Sequence, residues 1–434
     1  MTVPLWQQRF RAPVSGLPEW SPRSPTRVAY VSTESGVWQL HAWDVARGSR
    51  RQVTDHPLGI VDGTPTFDGE GLVWFQDETG AEAGRWLVAP FARGDEARPF
   101  LPELPVGWSE GLAQGPGIVA AALSGEHGFA VYVALDGTPA RELLRSEEAL
   151  RIGGVDEGGY LRAGLSADGE LLCLEHAEHG DLLHPALRVV DARSGETVAE
   201  LRDEGLSLQA RCWSPLSGDE RLAVSHERAG DELPAVWEPR TGTLRELRLE
   251  ARGPTWVADW WPDGSALLLV ERVEGRDRLL RYDLAHEDAT VLPTEPGVIF
   301  KARVRHDGRV WYLHEQGHRP RRVLDERGRE VLALAGAADL PARPYVAWRF
   351  RNPHGQEVHG FYVAPEGRGP FPVLMLVHGG PTWLDLDRWQ PEVQAYVDAG
   401  FVVGMVNYRG SLGYGREWRD ALVGNIGGPE LEDV

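Results

Sequence analysis

The sequence predicts a β-propeller followed by the beginning of an α/β domain. Two observations support this fold class. In the first three quarters of the chain, short apolar runs alternate with turn signals at an interval of roughly 40 to 50 residues, which is typical of propeller blades. In the last quarter, two apolar runs flank a helical pattern, which predicts a strand, a crossover helix and a parallel strand.

An aromatic or apolar residue followed by a turn signal marks each unit of the repeat. The steps from Leu165 to Trp213 and from Trp213 to Trp261 are both 48 residues. Strand-like runs separated by turn residues follow each mark, as expected for antiparallel sheets. Seven units are predicted, with the approximate boundaries 17–57, 60–102, 106–147, 158–205, 206–253, 254–297 and 298–336. We therefore expect a propeller over 17–338, preceded by a segment, 1–16, that packs near the second domain.

The repeat stops near Pro341, and residues 339–434 are predicted to begin the α/β domain. Its first part predicts a hairpin with a turn at 352–355. The runs 373–377 and 401–406 are almost wholly apolar, which predicts strands covered on both faces. Between them, a helix ending at Gly400 is predicted by apolar residues at helical spacing: Trp389, Val393, Tyr396 and Val397.

Composition excludes several classes of function. Forty-five basic and 65 acidic residues give a net charge of −20, which repels phosphate backbones and anionic lipids, so we expect no nucleic-acid or membrane partner. The first residues lack the apolar core of an export signal. Cys173 and Cys212 are the only cysteines, too few for a disulfide framework. We expect a cytoplasmic protein with no cofactor and no metal.

Two motifs in the last quarter are more specific than the repeat. VLMLVHGGP occupies 373–381, and VNYRGSLGYGREW occupies 406–418. With the repeat before them, they resemble the prolyl oligopeptidase family of serine peptidases, and most of all its acylaminoacyl peptidase group, over essentially the whole chain. The resemblance implies a seven-bladed β-propeller followed by the N-terminal part of an α/β-hydrolase domain. It also implies hydrolysis of short peptides through an acyl-enzyme, with the propeller restricting access, and it allows a homo-oligomer.

The segment His378-Gly379-Gly380-Pro381 is the candidate oxyanion loop. Acyl transfer needs backbone N–H donors aimed at the oxyanion of the tetrahedral intermediate, and in this fold one donor comes from the loop after the third strand. By comparison with the family, the Gly380 N–H is the predicted donor. His378 is expected to orient the loop by hydrogen bonding rather than to take part in catalysis. The competing interpretation is an ordinary glycine turn at a strand end.

Neither serine in a suggestive motif is predicted to be the nucleophile. Ser109 lies in GWSEG, which fits G-x-S-x-G, but prolines before it and glycines after it disfavour the required strand and helix, so we expect a turn between two strands. Ser411 lacks the required glycine two positions earlier, where Arg409 stands, and Arg409 is expected to fix this loop. The family's nucleophile, acid and base follow the fifth strand. They are therefore expected outside this chain, in a remainder of roughly 150 to 200 residues that completes the hydrolase domain.

A zinc site is suggested by the ligand types of four residues, Cys173, His176, His179 and His184. Side chains alternate along a strand, so Cys173 and His176 should lie on opposite faces. Solvated loop histidines are therefore the favoured interpretation.

Two further clusters could hold the ends of a peptide. Glu147 and Glu148 resemble the paired acids with which dipeptidyl peptidases of the family hold a free amino terminus, although a charged turn between units fits their context better. Arg319, Arg321 and Arg322 have the geometry to bind a carboxylate, although a solvated strand edge is favoured.

The residues leave several functions open. An esterase would use the same oxyanion loop on small acyl substrates, and a peptidase of the same family could act at the carboxyl end of a peptide. A non-catalytic scaffold would use the propeller only to recruit partners. The sequence does not distinguish a preference for acylated, free amino or carboxyl ends.

Overall fold

The computed structural model of the protein describes residues 3–92, 96–154, 163–179, 184–336, 340–380 and 382–434. Antiparallel sheets fill residues 19–332, and neighbouring strands are consecutive in the chain except at one contact within the second sheet. The first sheet has four strands: β1 (Glu19–Trp20), β2 (Arg27–Ser32), β3 (Gln39–Asp44) and β4 (Ser49–Gln52).

An eight-stranded sheet comes next in the chain. Its strands are β5 (Thr64–Pro65), β6 (Gly71–Asp77), β7 (Ala83–Pro90), β8 (Arg98–Pro99), β9 (Gly107–Gly115), β10 (Ile118–Gly125), β11 (Gly128–Leu135) and β12 (Arg141–Ser146). Only two residue pairs, Ala83 with Trp108 and Gly84 with Gly107, connect β7 to β9. The sheet therefore consists of two four-stranded halves that share a short contact.

Four more sheets of four strands complete this part of the chain. They contain β13 (Leu150–Ile152), β14 (Leu171–His176), β15 (Ala186–Asp191), β16 (Thr197–Leu201), β17 (Leu208–Trp213), β18 (Leu222–His226), β19 (Leu233–Glu238), β20 (Thr243–Glu246), β21 (Thr255–Trp260), β22 (Ala266–Val273), β23 (Arg276–Asp283), β24 (Asp288–Val291), β25 (Val298–Val304), β26 (Val310–Gln316), β27 (Arg319–Asp325) and β28 (Glu330–Leu332). Apolar side chains between neighbouring sheets form the core.

The sheets close into a ring. Trp43 of the first sheet stacks on Trp311 of the last, with ring centroids 5.7 Å apart, and both belong to one buried cluster. The inner ends of the first strands converge on a common cavity of about 350 Å³. Its wall includes Trp20, Gly115 and Val304. This arrangement confirms the predicted propeller architecture.

The Asp-Gly turns of the repeat have a local explanation. The carboxylates of Asp68, Asp168 and Asp263 each accept a hydrogen bond from the backbone N–H two residues further on, at 2.9 to 3.1 Å. The glycine between them has a positive φ, as at Gly69 (+78°), which a residue with a side chain rarely adopts. The repeated Asp-Gly pair therefore encodes the tight turn after the first strand of a unit.

The segment GWSEG differs from its prediction. Residues 107–111 form the beginning of β9 instead of a turn between strands, and Ser109 pairs with Leu123 of β10. The prolines that argued against a strand, Pro102 and Pro105, lie before β9 and leave its hydrogen bonds intact. The strand continues for several residues beyond Ser109, so Ser109 is not on a strand-to-helix turn.

The last part of the chain forms a mixed sheet with short helices. Its elements are β29 (Val346–Arg351), β30 (Glu357–Val363), β31 (Val373–Leu376), α2 (Pro391–Asp398), β32 (Val402–Asn407), α3 (Arg416–Asp420) and α4 (Pro429–Asp433), and α1 (Leu5–Phe10) lies near the N-terminus. The strand order is β29-β30-β32-β31. The hairpin of β29 and β30 and the parallel pairing of β31 with β32 through α2 confirm the predictions for this region.

The two parallel strands differ in burial. Strand β32 lies between two neighbours, and Val403 and Met405 are fully buried. Strand β31 pairs with β32 alone among the described strands, and Val373 and Val377 are 63% and 53% exposed. The prediction that both apolar runs are covered on both faces is therefore wrong for 373–377, because β31 is an edge strand.

The propeller and the mixed sheet are joined by buried polar contacts. The carboxylate of Asp387 accepts hydrogen bonds from the Arg276 side chain (2.8 Å) and the Gly317 backbone N–H (3.0 Å), and the Asp387 N–H donates to the Gly275 carbonyl at 3.0 Å. Arg9 of α1 forms an ion pair with Asp398 of α2. Helices of the described ranges have five to eight residues, too few to cross a bilayer.

Candidate oxyanion loop

The candidate loop begins where β31 ends. Because β31 and β32 are parallel, their carboxyl ends lie at the same edge of the sheet, where open α/β sheets bind ligands. The loop after β31 contains His378, Gly379 and Gly380, and the loop after β32 contains Tyr408 and Ser411. The fourth member of the predicted motif, Pro381, lies outside the described residues. The two loops meet beside the sheet edge.

Gly380 has a backbone conformation that favours glycine. Its φ is +127°, and a Cβ at this position would lie 3.1 Å from the Thr382 nitrogen. Gly379 has a more ordinary conformation, with open space around the position of a Cβ. Both residues are exposed, and within the described ranges no acceptor takes the Gly380 N–H. An exposed N–H without a protein acceptor can donate to a ligand oxygen.

His378 connects this loop to the loop after β32. Its Nε2 lies 2.9 Å from the Ser411 hydroxyl, and its backbone carbonyl accepts a hydrogen bond from the Tyr408 hydroxyl at 2.5 Å. The imidazole stacks on the Tyr408 ring at a centroid distance of 4.3 Å. Burial lowers the pKa of His378, so the ring is neutral at pH 7.

Arg409 fixes the neighbouring loop, as predicted. Its guanidinium donates to both carboxylate oxygens of Asp433, with Nε 3.0 Å from Oδ2, and its backbone N–H donates to Oδ2 at 2.7 Å. Asp433 is fully buried and also accepts a hydrogen bond from Asn352 at 2.9 Å. The Arg409 guanidinium therefore contacts α4.

A buried polar cluster behind the loop was missed at the sequence level. The Asn407 side chain exchanges hydrogen bonds with the Asp385 backbone at 2.7 and 3.0 Å and donates to the Tyr414 hydroxyl at 2.9 Å. Tyr414 also lies 2.6 Å from Nδ1 of His359. Burial raises the pKa of Asp385 to about 7, against the opposing effect of Arg388, and lowers the pKa of His359 to about 4. The only available signal was the polar Asn407 directly after an apolar run.

Two of the suggested zinc ligands, His176 and His179, are neighbours, with ring centroids 5.4 Å apart. Cys173 and His176 are both buried in β14, and His179 pairs with Glu200 at 2.8 Å. His184 is half-buried before β15. The interpretation of solvated loop histidines is wrong for His176, because β14 is an inner strand of its sheet with a neighbour on each side. Across the described ranges, no group of three metal-binding side chains is found.

The acidic pair lies on the surface. Glu147 and Glu148 are exposed in a bend directly after β12. This position agrees with the interpretation as a charged turn between units.

All three arginines of the cluster form ion pairs with glutamates of this chain. Arg319, Arg321 and Arg322 lie at the start of β27, and only Val323 and Leu324 of this strand pair with β28. Arg319 is exposed and the other two are half-buried, which agrees with the interpretation as a strand edge. Arg322 pairs with Glu295 at 3.1 Å, and Arg321 lies 3.5 Å from Glu315.

Comparison with known proteins gives the same result as the motifs. Residues 388–434 match the prolyl oligopeptidase family. A dipeptidyl-peptidase 5 of Schizosaccharomyces pombe is 33% identical over 112 residues, which are 24% of this chain and 16% of that protein. A dipeptidyl-peptidase 5 of Aspergillus oryzae is 36% identical over 256 residues, 51% of this chain and 34% of that protein.

Solved structures of peptidases share the fold of this chain. A puromycin-hydrolyzing peptidase of Mycobacterium tuberculosis has a TM-score of 0.78 at 20% identity and covers 100% of this chain and 71% of its own. The acylaminoacyl peptidase of Pyrococcus horikoshii has a TM-score of 0.71 at 16% identity, covering 98% of this chain and 70% of its own. The shared architecture is a propeller combined with a hydrolase domain. The aligned segments of the first curated relatives span less than a fifth of those proteins.

Proposed function

We propose that this chain forms part of a serine peptidase that hydrolyses short peptides through an acyl-enzyme, with Gly380 as an oxyanion donor. The observation that carries the proposal is the exposed Gly380 N–H, which follows a parallel strand at the edge where such sheets bind ligands. A negative charge develops on the carbonyl oxygen of the substrate when a nucleophile attacks. A fixed N–H stabilises that charge more than it stabilises the ground state.

The role of each loop residue follows from its contacts. Gly380 supplies the donor, and Gly379 leaves room for the main chain of a substrate. Pro381 is proposed to end the loop, as the motif suggests. His378 orients the loop through its hydrogen bonds and does not act as the general base, because both ring nitrogens contact groups of the protein itself. The nucleophile, acid and base are proposed to come from polypeptide beyond this chain.

We propose seven blades for the propeller, over 17–338. Each half of the eight-stranded sheet contains four strands, and the two halves touch through two residue pairs at the β7–β9 contact. Counting each half as one blade, together with the five four-stranded sheets, supports this number. The propeller ring would restrict the size of substrates that reach the oxyanion loop. Asp387, which follows this loop in the chain, joins this part of the protein to the propeller.

The edge of β31 supports a further partner. Its exposed valines and its single neighbour are suited to pairing with another strand. We propose that the remainder of the hydrolase domain, 339–434 being its first part, pairs there. A homo-oligomer and a cytoplasmic location stay predictions, as does membership of the acylaminoacyl peptidase group.

Intact mass spectrometry of the natural protein with a fluorophosphonate probe tests the proposal. We expect one probe per active site, on a serine other than Ser109 or Ser411, and loss of peptide hydrolysis on labelling. Assays with acylated, free-amino and carboxyl-end peptide substrates and with short p-nitrophenyl esters then separate the peptidase from an esterase. A folded protein that takes up no probe and cleaves none of these substrates would support the scaffold instead.

A further inference from the structure

Two side chains of one loop hold the candidate oxyanion loop in place. The Ser411 hydroxyl lies 2.9 Å from Nε2 of His378, and the Tyr408 hydroxyl donates to the His378 carbonyl at 2.5 Å. The Tyr408 ring stacks on the imidazole with an interplanar angle of 18°. The loop after β32 therefore contacts both the ring and the backbone of His378.

These contacts select one tautomer of His378. A neutral imidazole has one nitrogen that donates and one that accepts. Nδ1 lies 3.2 Å from the Gly379 carbonyl oxygen, which can only accept, and 3.2 Å from the Tyr408 hydroxyl oxygen, whose proton is directed to the His378 carbonyl. Nδ1 therefore carries the proton, and Nε2 accepts the hydroxyl proton of Ser411.

A serine hydroxyl beside Nε2 of histidine is also the arrangement of an activated nucleophile. Two observations exclude that role for Ser411. The residue has none of its surface exposed, so an acyl carbon has no path to its Oγ. The far side of the imidazole also faces a carbonyl and a phenol, not the carboxylate that would stabilise an imidazolium. The hydrogen bond between Ser411 and His378 therefore has a structural role, next to the proposed oxyanion donor.

We propose that Ser411 and Tyr408 are positioning residues, which act through His378 to fix the direction of the Gly380 N–H. This inference rests on the proposed function of Gly380 and names the residues that hold the donor. Gly379 and Gly380 have no side chains and are exposed, so His378 is the last side chain that can anchor the loop before the donor. A misplacement of about 1 Å at a reacting centre can lower the rate by about a hundredfold, so a small rotation of this loop matters.

The first test uses the natural protein and a peptide substrate. Ser411→Ala removes the hydroxyl while adding no volume, and Tyr408→Phe removes the hydroxyl that contacts the His378 carbonyl and Nδ1 but keeps the stacked ring. We expect kcat to fall roughly tenfold to a hundredfold in Ser411→Ala, with KM changed less than about twofold, because the oxyanion forms only in the transition state. Ser21→Ala is the matched control. It removes an equally buried hydroxyl, bonded to the Phe67 carbonyl in the propeller, and should leave kcat unchanged.

The second test needs no activity. Nitrogen-15 NMR of labelled histidine in this chain reports the tautomer, and His378→Gln assigns the signal. We expect the Nδ1-protonated form in the wild type and a mixture of tautomers in Ser411→Ala.

Each result has a separate meaning. An Nε2-protonated wild type, a kcat for Ser411→Ala within about twofold of the wild type, or a fluorophosphonate label on Ser411 would overturn the positioning role. A protein that hydrolyses nothing but shows the expected tautomers would reject the proposed function and retain the geometry of the loop.

Discussion

The loops after the two parallel strands are built very differently. The loop after β32 is held by buried polar side chains, with Arg409 bonded to the fully buried Asp433 and Ser411 without exposed surface. The loop after β31 exposes two glycines and contacts the loop after β32 through His378 and through the Trp383 carbonyl, which accepts a hydrogen bond from the Leu412 N–H at 2.9 Å. The difference shows how a backbone can be accessible and still be fixed: the exposed loop gains its rigidity from the buried loop beside it.

The largest expected effect comes from removing the anchor of the buried loop. Asp433→Ala leaves the Arg409 guanidinium with Glu432 and the Pro429 carbonyl, and breaking a buried pair costs about 3 to 5 kcal/mol. We expect the amides of 402–412 to lose hydrogen-exchange protection by a factor of about a hundred or more.

Glu432→Ala is the control for that experiment. The Glu432 side chain is 44% exposed, so solvent screens its ion pair with Arg409 and its removal should cost little stability. Equal losses of protection in the two variants would show that the buried pair does not anchor the loop.

The next effect concerns the exposed loop itself. Gly380→Ala forces an L residue into φ +127° and moves the proposed donor, and loss of one such donor costs a factor of about 10² to 10³ in kcat. Steady-state kinetics on a peptide substrate measure this loss. Gly379→Ala is the matched variant, because its Cβ meets open space, and Gly380→Ala should unfold at a somewhat lower temperature than Gly379→Ala, so kcat is compared where both are folded. An unchanged kcat in Gly380→Ala would remove this N–H from the chemistry.

A third prediction concerns Asp385, which follows the exposed loop in the chain. Asp385 is tied to Asn407 of β32, and burial raises its pKa to about 7. The folded state therefore holds the proton more tightly than the unfolded state. Stability is greatest below the unfolded pKa, near 4, and is lost as the pH rises toward 7.

Asp385→Asn removes this ionisation. The shift of about three units corresponds to an upper bound of about 4 kcal/mol, and we expect about 2 kcal/mol after local relaxation. Hydrogen exchange should show Asp385→Asn to be more stable than the wild type at pH 8 and similar to it at pH 4. A pH-independent difference would mean that Asp385 does not titrate in the folded protein.

The smallest effect is expected where this segment meets the propeller. Asp387→Asn keeps an oxygen that can accept the Gly317 N–H but removes the charge facing Arg276, whose side chain is 37% exposed. Screening by solvent limits the cost to about 1 kcal/mol. Protection of the Gly317 amide should fall less than about tenfold, and a global loss of structure in Asp387→Asn would contradict this estimate.

Local signals predicted much of the fold, and long-range contacts explain the rest. The Asp-Gly turns and the glycine after the helical pattern are local, so the propeller, the hairpin and the parallel crossover were predictable. The strand at GWSEG was not, because the pairing of Ser109 with β10 outweighed the nearby prolines. The exposure of Val373 depends on where β31 lies in the sheet, which an apolar run does not specify.

The candidate site was also predictable only where its signals are local. The glycine motif predicted a loop at the end of a strand, whereas the partners of His378 lie 30 and 33 residues further along the chain. The contact of Arg409 with Asp433 likewise joins two turns that no local pattern connects. Charges and hydroxyls become interpretable only when the fold brings them together.

A crystal structure of the natural protein with a phosphonate bound covalently at its active serine tests the central claim most directly. The phosphonyl oxygen stands in for the oxyanion of the tetrahedral intermediate. We predict that this oxygen lies about 2.7 to 3.1 Å from the Gly380 nitrogen. An oxygen held only by other donors, with the Gly380 nitrogen beyond hydrogen-bonding distance, would contradict the account.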